Sequence, residues 1–362
     1  MTRINKMKNI VKSRGAVYFN EGSWNALENI LRKLNPSSVF ILTDVNTKKN
    51  CLGHLLTNVS FTTTPQILTI PSGEVYKTIS SCVELWSQLS ERGADRNSLL
   101  INLGGGVVTD LGGFVATSFK RGIEFVNIPT SMLAMVDASI GGKNGVDLGI
   151  LKNQIGSIRE PKCVIVDSQF LKTLPTRQIT SGYAEILKHG LIHSEAYWNL
   201  ASQFDMGNHQ ATDALIWGSI VIKNEVITED PNENGLRKTL NYGHTLGHAI
   251  ESYLLSHVSK KPLFHGEAIA IGMILATYIS SEMFGFPKAK LTEVTHVILG
   301  HFQKITFSKR DIEEIIKLLF YDKKNSGGKI YFVLLSNFGQ HEINKEVSDD
   351  LIYKAFEYYS ES

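Results

Sequence analysis

Two histidines four residues apart, His244 and His248 in Asn241-Tyr242-Gly243-His244-Thr245-Leu246-Gly247-His248, are the first residues in this chain whose spacing suggests chemistry. On a helix they share one face, a turn apart. The spacing resembles that of zinc helices, but the glutamate of HExxH is missing between them. His265-Gly266-Glu267 follows downstream, and Glu185 lies upstream in Tyr183-Ala184-Glu185-Ile186-Leu187-Lys188-His189. Two histidines with one carboxylate and an open fourth position form a catalytic zinc pattern rather than a structural one. The chain has 11 histidines, so the pair alone would be unremarkable; its neighbours strengthen the reading.

Those neighbours are cationic. Lys188 stands three residues beyond Glu185, and Lys223, Glu233, Arg237 and Asn241 approach His244 from the N-terminal side. Asp137, Lys143, Lys152 and Asn153 fall in one glycine-interrupted stretch, 136–155, expected as a loop, and Asp322-Lys323-Lys324-Asn325 comes near the end. Exposed ion pairs contribute only about 0–1 kcal/mol, so stability gives little reason to gather cations. Cations facing one site repel one another unless an anionic ligand lies among them, and a substrate bearing phosphate and carboxylate would satisfy them.

A third constellation is glycine-rich. Gly104-Gly105-Gly106-Val107-Val108-Thr109-Asp110 sits between an apolar run and a helical pattern. Glycines let backbone approach a phosphate, and the following helix start attracts negative charge. Thr109 stands where a Rossmann fingerprint has its third glycine, so a tight turn with Asp110 as a cap is the plain alternative. Two further strand ends, Ser72-Gly73-Glu74-Val75-Tyr76-Lys77 and Thr43-Asp44-Val45-Asn46, add polar groups and favour a dinucleotide site.

The elements that must position these residues read differently in the two halves. Apolar runs at 38–42, 66–70, 99–103 and 124–128 alternate with helical patterns such as 80–92. This grammar predicts an α/β domain with a parallel sheet, its ligands beyond the carboxyl ends of the strands. From residue 180 helical patterns dominate, with strand character returning only at 330–335. We therefore expect a dinucleotide-binding α/β domain over 1–175 and a mainly helical metal- and substrate-binding domain over 176–362. Without repeats or a low-complexity linker, the halves are expected to pack around a cleft.

Composition sets the outer limits. In 362 residues, 43% hydrophobic and 20% charged usage is that of a soluble globular protein. A net charge of +2 gives no reason to expect nucleic acid or membrane as partner. The basic start, MTRINKMKNIVKSR, lacks the apolar core of a secretory signal. The uncharged stretch 268–281 is short for a bilayer span and is expected as a buried helix. Three scattered cysteines, Cys51, Cys82 and Cys163, suit a reducing cytoplasm.

With these residues in view the chain resembles the 3-dehydroquinate synthase family of sugar-phosphate cyclases. PSGEVYK, GGGVVTDLGGF, PTSMLAMVDASIGGKNGVD, LKNQIG, YAEILKHG, ENGLRKTLNYGHTLGHAIE, HGE and DKKN occur in the family's order, from about residue 43 to 335. The resemblance implies a Rossmann-like NAD domain followed by a helical domain. It implies conversion of 3-deoxy-D-arabino-heptulosonate 7-phosphate to 3-dehydroquinate and phosphate. The steps would be transient oxidation by NAD, phosphate elimination, re-reduction, ring opening and intramolecular aldol closure, within the shikimate pathway.

It further implies that Glu185, His244 and His265 hold zinc or cobalt, which makes His248 a substrate contact instead of a ligand. Asp44, Glu74, Lys77, Gly105, Gly106, Asp110 and Thr130 match NAD-binding positions, with Asn46, Ser72, Val107, Ser131, Lys143 and Lys152 in the same loops. Asp137, Lys143, Asn153, Lys188, Lys223, Arg237 and Asn241 match substrate-binding positions, joined by Glu233 and by Lys324 of the double lysine. Lys143, Lys188, Glu185, Asn241, His248 and Asp137 would stand at the reacting atoms. Arg121 matches a phosphate-binding arginine that reaches the partner subunit's site, which implies a homodimer. The chain departs from the pattern at Ser131, where a threonine is common, and at Ile158-Arg159. The segment between His248 and His265 is longer, and its residues 256–261 are expected as a surface loop. Rival readings are a related cyclase whose substrate lacks the carboxylate, a metal-dependent polyol dehydrogenase, and a non-catalytic binding module.

Overall fold

The computed structural model describes residues 8–149, 151–257, 260–319 and 330–362. The chain divides between Pro175 and Thr176 into two compact units.

The first unit is built on seven strands: β1 (Asn9–Ile10), β2 (Ala16–Phe19), β3 (Val39–Asp44), β4 (Gln66–Ile70), β5 (Leu99–Gly104), β6 (Glu124–Pro129) and β9 (Cys163–Val166). Their order is β1-β2-β9-β6-β5-β3-β4, parallel throughout except for β1 at the edge. The apolar runs form buried strands because both faces are covered; every residue of β5 is buried. Around the sheet lie α1 (Ser23–Leu34), α2 (Val45–Asn50), α3 (Leu52–Asn58), α4 (Ile79–Glu91) and α5 (Gly106–Ser118). From β3 the chain steps outward to β4, then returns to the opposite side of β3 for β5 and β6. The order therefore reverses between β3 and β5, where open α/β sheets bind ligands beyond the strand ends. Asp44 ends β3 and the glycine loop ends β5.

One expectation fails here. Residues 136–155 are no plain loop: a π-helical turn over Ala134–Ala138 leads into a hairpin of β7 (Lys143–Leu148) and β8 (Leu151–Ile158). The glycines that suggested interruption instead allow close pairing. Gly145 and Gly156 oppose each other in register, and a Cβ on Gly156 would meet Asn144 O at 2.2 Å.

The second unit contains α6 (Thr176–His193), α7 (Glu195–Ala201), α8 (His209–Glu229), α9 (His244–Ser256), α10 (His265–Phe284), α11 (Lys288–His301), α12 (Lys309–Leu319) and α13 (Asp349–Glu361). A hairpin of β10 (Tyr331–Asn337) and β11 (Gln340–Glu346) extends the strand expected at 330–335; polar β11 carried no apolar signal. Helix α10 is the hub, packed against α6, α9, α11, α13 and β10. It is longer than the uncharged stretch implied, at 20 residues, and by length and composition could cross a membrane. Its burial against its neighbours, 67% of the apolar window, accounts for that character here.

Helices α9 and α10 approach at backbone distance. A Cβ on Gly272 would lie 2.1 Å from Gly243 O and 2.8 Å from Gly247 N. Gly243 starts α9 in the left-handed region, at φ 75°. The two helices therefore run side by side, and the rings of His244 and His265 meet between them with centroids 5.5 Å apart.

Candidate functional site

In the second unit, Glu185 and Lys188 lie three residues apart on α6, both buried (0% and 1% exposed). Lys188 Nζ contacts Glu185 Oε2. Glu185 Oε1 faces two imidazoles: His244 Nε2 at 3.5 Å and His265 Nε2 at 3.6 Å. Neither carboxylate oxygen makes a hydrogen bond of good geometry.

The outer ring nitrogens fix the tautomers. His244 Nδ1 lies 3.0 Å from Tyr242 O, and His265 Nδ1 lies 3.0 Å from Glu251 Oε2. Each Nδ1 must donate, because its partner can only accept. As neutral imidazoles both rings present Nε2 lone pairs toward the carboxylate, so three acceptors converge on a position suited to a cation. Ligands at about 2.1 Å from a tetrahedral ion stand roughly 3.4 Å apart, close to both spacings above. The donor set fits a zinc-like ion with three protein ligands and an open position. The same field draws a proton where no cation stands: burial alone would lower the His265 pKa, but Glu251 and Glu185 push it up to about 10, and a metal ion would displace that proton. Burial likewise opposes ionisation of Glu185, yet Lys188 and the two histidines hold its carboxyl well below the usual range.

His248 follows His244 by one turn, its ring centroid 5.1 Å from that of His244 and 5.5 Å from that of His265. The ligand atoms of the three histidines lie within 4.8 Å of one another. His248 thus borders the group that includes Glu185, and the buried carboxylate is what can balance a divalent charge.

Lys223 on α8 and Arg237 in the 3₁₀ turn Leu236–Asn241 are both buried. A residue that spacing did not reveal organises this turn: Asp230 accepts from the backbone N–H groups of Asn234 (3.0 Å), Gly235 (2.7 Å) and Arg237 (3.0 Å). Those bonds hold its carboxyl below its usual pKa, that from Gly235 first. Arg237 Nη1 donates to Pro231 O at 2.9 Å, and Asn241 Nδ2 to Glu233 Oε1 at 2.9 Å. The Asp230-Pro231 pair is a turn signal that could have flagged it. Lys323 and Lys324 lie outside the described residues.

In the first unit, Gly105 caps α5 and, being a glycine, makes no side-chain cap bond at that helix start. Its first-turn N–H groups, at Gly106, Val107 and Val108, keep the positive helix end open to an anion. A Cβ at Gly105 would sit 3.2 Å from Ser131 Oγ, so the glycine keeps the loop close to buried Thr130 and Ser131. Asp44 Oδ1 caps α2 through Asn46 N and Thr47 N; the Asn46 side chain is exposed and Ser72 half-buried. Loop, Asp44 and Thr130 share one sheet edge, which fits a dinucleotide.

Beside that edge runs an ion-pair network. Lys77 Nζ donates to Asp110 Oδ2 and to Asn153 Oδ1, both at 2.6 Å. Lys152 Nζ lies 2.9 Å from Glu74 Oε1 and 3.3 Å from Asp147 Oδ2. Burial would lower the Lys77 pKa, but Asp110, Glu74 and Asp147 raise it. Asp147, which the sequence did not single out, also accepts from Asn153 N at 2.7 Å and holds that residue at φ 51°. Lys143 opens β7, exposed, and Asp137 lies in the π turn, half-buried. Arg121 is exposed in the left-handed turn Lys120-Arg121-Gly122.

Comparison with known proteins decides the lineage. A family model described as 3-dehydroquinate synthase N-terminal matches residues 67–181, and one described as 3-dehydroquinate synthase C-terminal matches residues 182–325. The chain belongs to the 3-dehydroquinate synthase family. A 3-dehydroquinate synthase of Parabacteroides distasonis is 42% identical over 93% of this chain and 95% of its own. One from a Sulfurovum species is 34% identical over 85% and 87%. The family fold is evident in solved structures as well. A 2-deoxy-scyllo-inosose synthase complexed with carbaglucose-6-phosphate, NAD+ and Co2+ superposes with a TM-score of 0.82, at 26% identity over 98% of this chain and 99% of that one. A 2-epi-5-epi-valiolone synthase from Streptomyces hygroscopicus, with NAD+ and Zn2+ bound, shares the fold at 22% identity and a TM-score of 0.81, over 99% of each chain.

Proposed function

We propose that this member of the family converts 3-deoxy-D-arabino-heptulosonate 7-phosphate to 3-dehydroquinate and phosphate, as a carbon–oxygen lyase that uses NAD and zinc or cobalt. The observation that carries the reading is the convergence of buried Glu185 with His244 and His265, two imidazoles and a carboxylate spaced for one divalent ion. When bound, the metal supplies Lewis acidity at a substrate hydroxyl and NAD a reversible hydride acceptor. Glu185, His244 and His265 would hold the metal. The Gly105–Val107 loop, Asp44, Asn46, Ser72, Thr130 and Ser131 would hold NAD, with Glu74, Lys77, Asp110 and Lys152 bracing that edge through their ion pairs.

Around them this chain's cations do the anion work. Arg237, with its fork fixed by Pro231 O and its backbone by Asp230, suits the substrate carboxylate. Lys188 stands beside Glu185, so its ammonium would hydrogen-bond a substrate hydroxyl there and hold or move its proton. Lys223, Asn241 and His248 belong to the same unit; Lys143, Asp137 and Asn153 belong to the first and are proposed as substrate contacts. With the phosphate held by Lys143, Asn241, His248 and Arg121, its own oxygens can take the neighbouring C–H proton, a task that needs positioning more than a protein base. Lys324 would add a substrate contact. Arg121, exposed in its strained turn, would serve the site of a second copy in a homodimer, and the cytoplasm is the expected compartment.

The test is purified protein with zinc or cobalt, substrate and NAD, with phosphate and 3-dehydroquinate followed together. Equal release of both supports the reading. Turnover of a substrate lacking the carboxylate, with none of the heptulosonate phosphate, would instead assign a related cyclase.

A further inference from the structure

Helix α9 carries a third polar residue on the face of His244 and His248. Glu251 follows at i+7 from His244, on the same stripe. Its side chain is 11% exposed, and Oε2 lies 3.0 Å from His265 Nδ1, at the first residue of α10. One helix face therefore supplies one metal-facing imidazole and the carboxylate that turns the other.

We propose that Glu251 is a positioning residue for the metal site, holding His265 in the Nδ1–H tautomer with Nε2 aimed at the ion. The proposal rests on the metal reading above. An imidazole can turn about its Cβ–Cγ bond, and His265 begins a helix directly after the connection that leaves α9. Glu251 is the described acceptor that fixes its ring. His244 needs no such carboxylate, because Tyr242 O, in its own turn, accepts from its Nδ1. Charge points the same way. Glu185 and Glu251 bring two carboxylates to the ligand imidazoles, with Lys188 touching the first. Without Glu251 one of the carboxylates that offset a divalent ion is lost, and burying the uncompensated charge is expensive. Carboxylates in this position raise the basicity of the ligand they bond, and their loss typically weakens metal affinity about 10–100-fold.

The experiment compares wild type, Glu251→Ala, Glu251→Gln and His265→Ala. Zinc affinity is measured by competition with a chromophoric chelator, and the visible spectrum is recorded for the cobalt-loaded proteins. Glu251→Ala is expected to bind zinc about 10–100-fold more weakly and to alter the cobalt bands. Glu251→Gln, whose amide oxygen still accepts from Nδ1 but carries no charge, should fall between it and wild type. Thermal midpoints of the metal-free proteins separate this from general damage: a metal-specific role leaves the midpoint of Glu251→Gln near that of wild type. If His265→Ala loses the metal while both Glu251 variants keep wild-type affinity and spectrum, the positioning role is overturned. If His265→Ala keeps tight zinc, the metal reading itself is overturned. Should Glu251→Ala not fold, Glu251→Gln decides alone: weaker zinc supports the role, unchanged affinity rejects it.

Discussion

A buried carboxylate without good hydrogen bonds is costly, and Glu185 is tolerable because Lys188 touches one oxygen and the other faces a cation position. Removing a ligand should therefore empty the site. His244→Ala is expected to lower metal affinity by more than about 100-fold and to lose turnover in parallel, read by metal analysis and rate together. Full activity without bound metal would sink the assignment. Arg237 belongs to a different task. Loss of a charged hydrogen bond removes about 1.5–3 kcal/mol, so Arg237→Ala should cut kcat/KM about 10- to 150-fold, chiefly through KM. Steady-state kinetics showing both constants unchanged would remove Arg237 from the carboxylate. At this scale the sequence was most legible for the side chains proposed to meet a ligand: Glu185, His244 and Arg237 stood in recognisable patterns. Glu251, Asp230 and Asp147 did not, since they act on ring or backbone N–H groups whose positions exist only once the chain is folded.

The elements place these groups through close backbone contacts that leave no room for a side chain. Gly272→Ala would force a Cβ to within 2.1 Å of Gly243 O, a backbone atom that cannot swing aside. Overpacking of this kind costs about 1–3 kcal/mol, and a shifted denaturant midpoint would report it. The connection into α10 is pinned at its other end by Asp311, at the start of α12. Asp311 takes Lys260 Nζ at 2.6 Å, Ser308 N at 2.8 Å and the Tyr253 hydroxyl. Burial alone would raise the Asp311 pKa, but the bonds from Lys260, Tyr253 and Ser308 hold it far below the ordinary carboxylate value. A carboxyl depressed on folding contributes stability that is fully present above its unfolded pKa of about 3.9 and lost as pH falls through the folded value. Asp311→Asn should thus cost about 1–3 kcal/mol at neutral pH. That difference should narrow as pH drops below about 4, measured by urea unfolding at each pH. Buried strands such as β3 and β5 were legible because burial on both faces writes a continuous apolar run. The β7–β8 hairpin was not, because its glycines signal breaks while their packing serves pairing.

For the molecule as a whole, a net charge of +2 conceals cations gathered locally, which is why composition named no partner. The proposed homodimer makes a test that neither unit alone could. Arg121→Ala and Lys188→Ala proteins should each be inactive, but heterodimers refolded from both would carry one intact site. An equal mixture should recover about a quarter of wild-type activity. Recovery of none would assign Arg121 to its own subunit's site or to none. The measurement closest to the central claim is simpler: phosphate release and NADH absorbance followed together with the heptulosonate phosphate and NAD well below substrate. The reading predicts many phosphates released per NAD with no NADH accumulating, because the hydride returns within each turnover. NADH rising in step with product, and no phosphate, would contradict it.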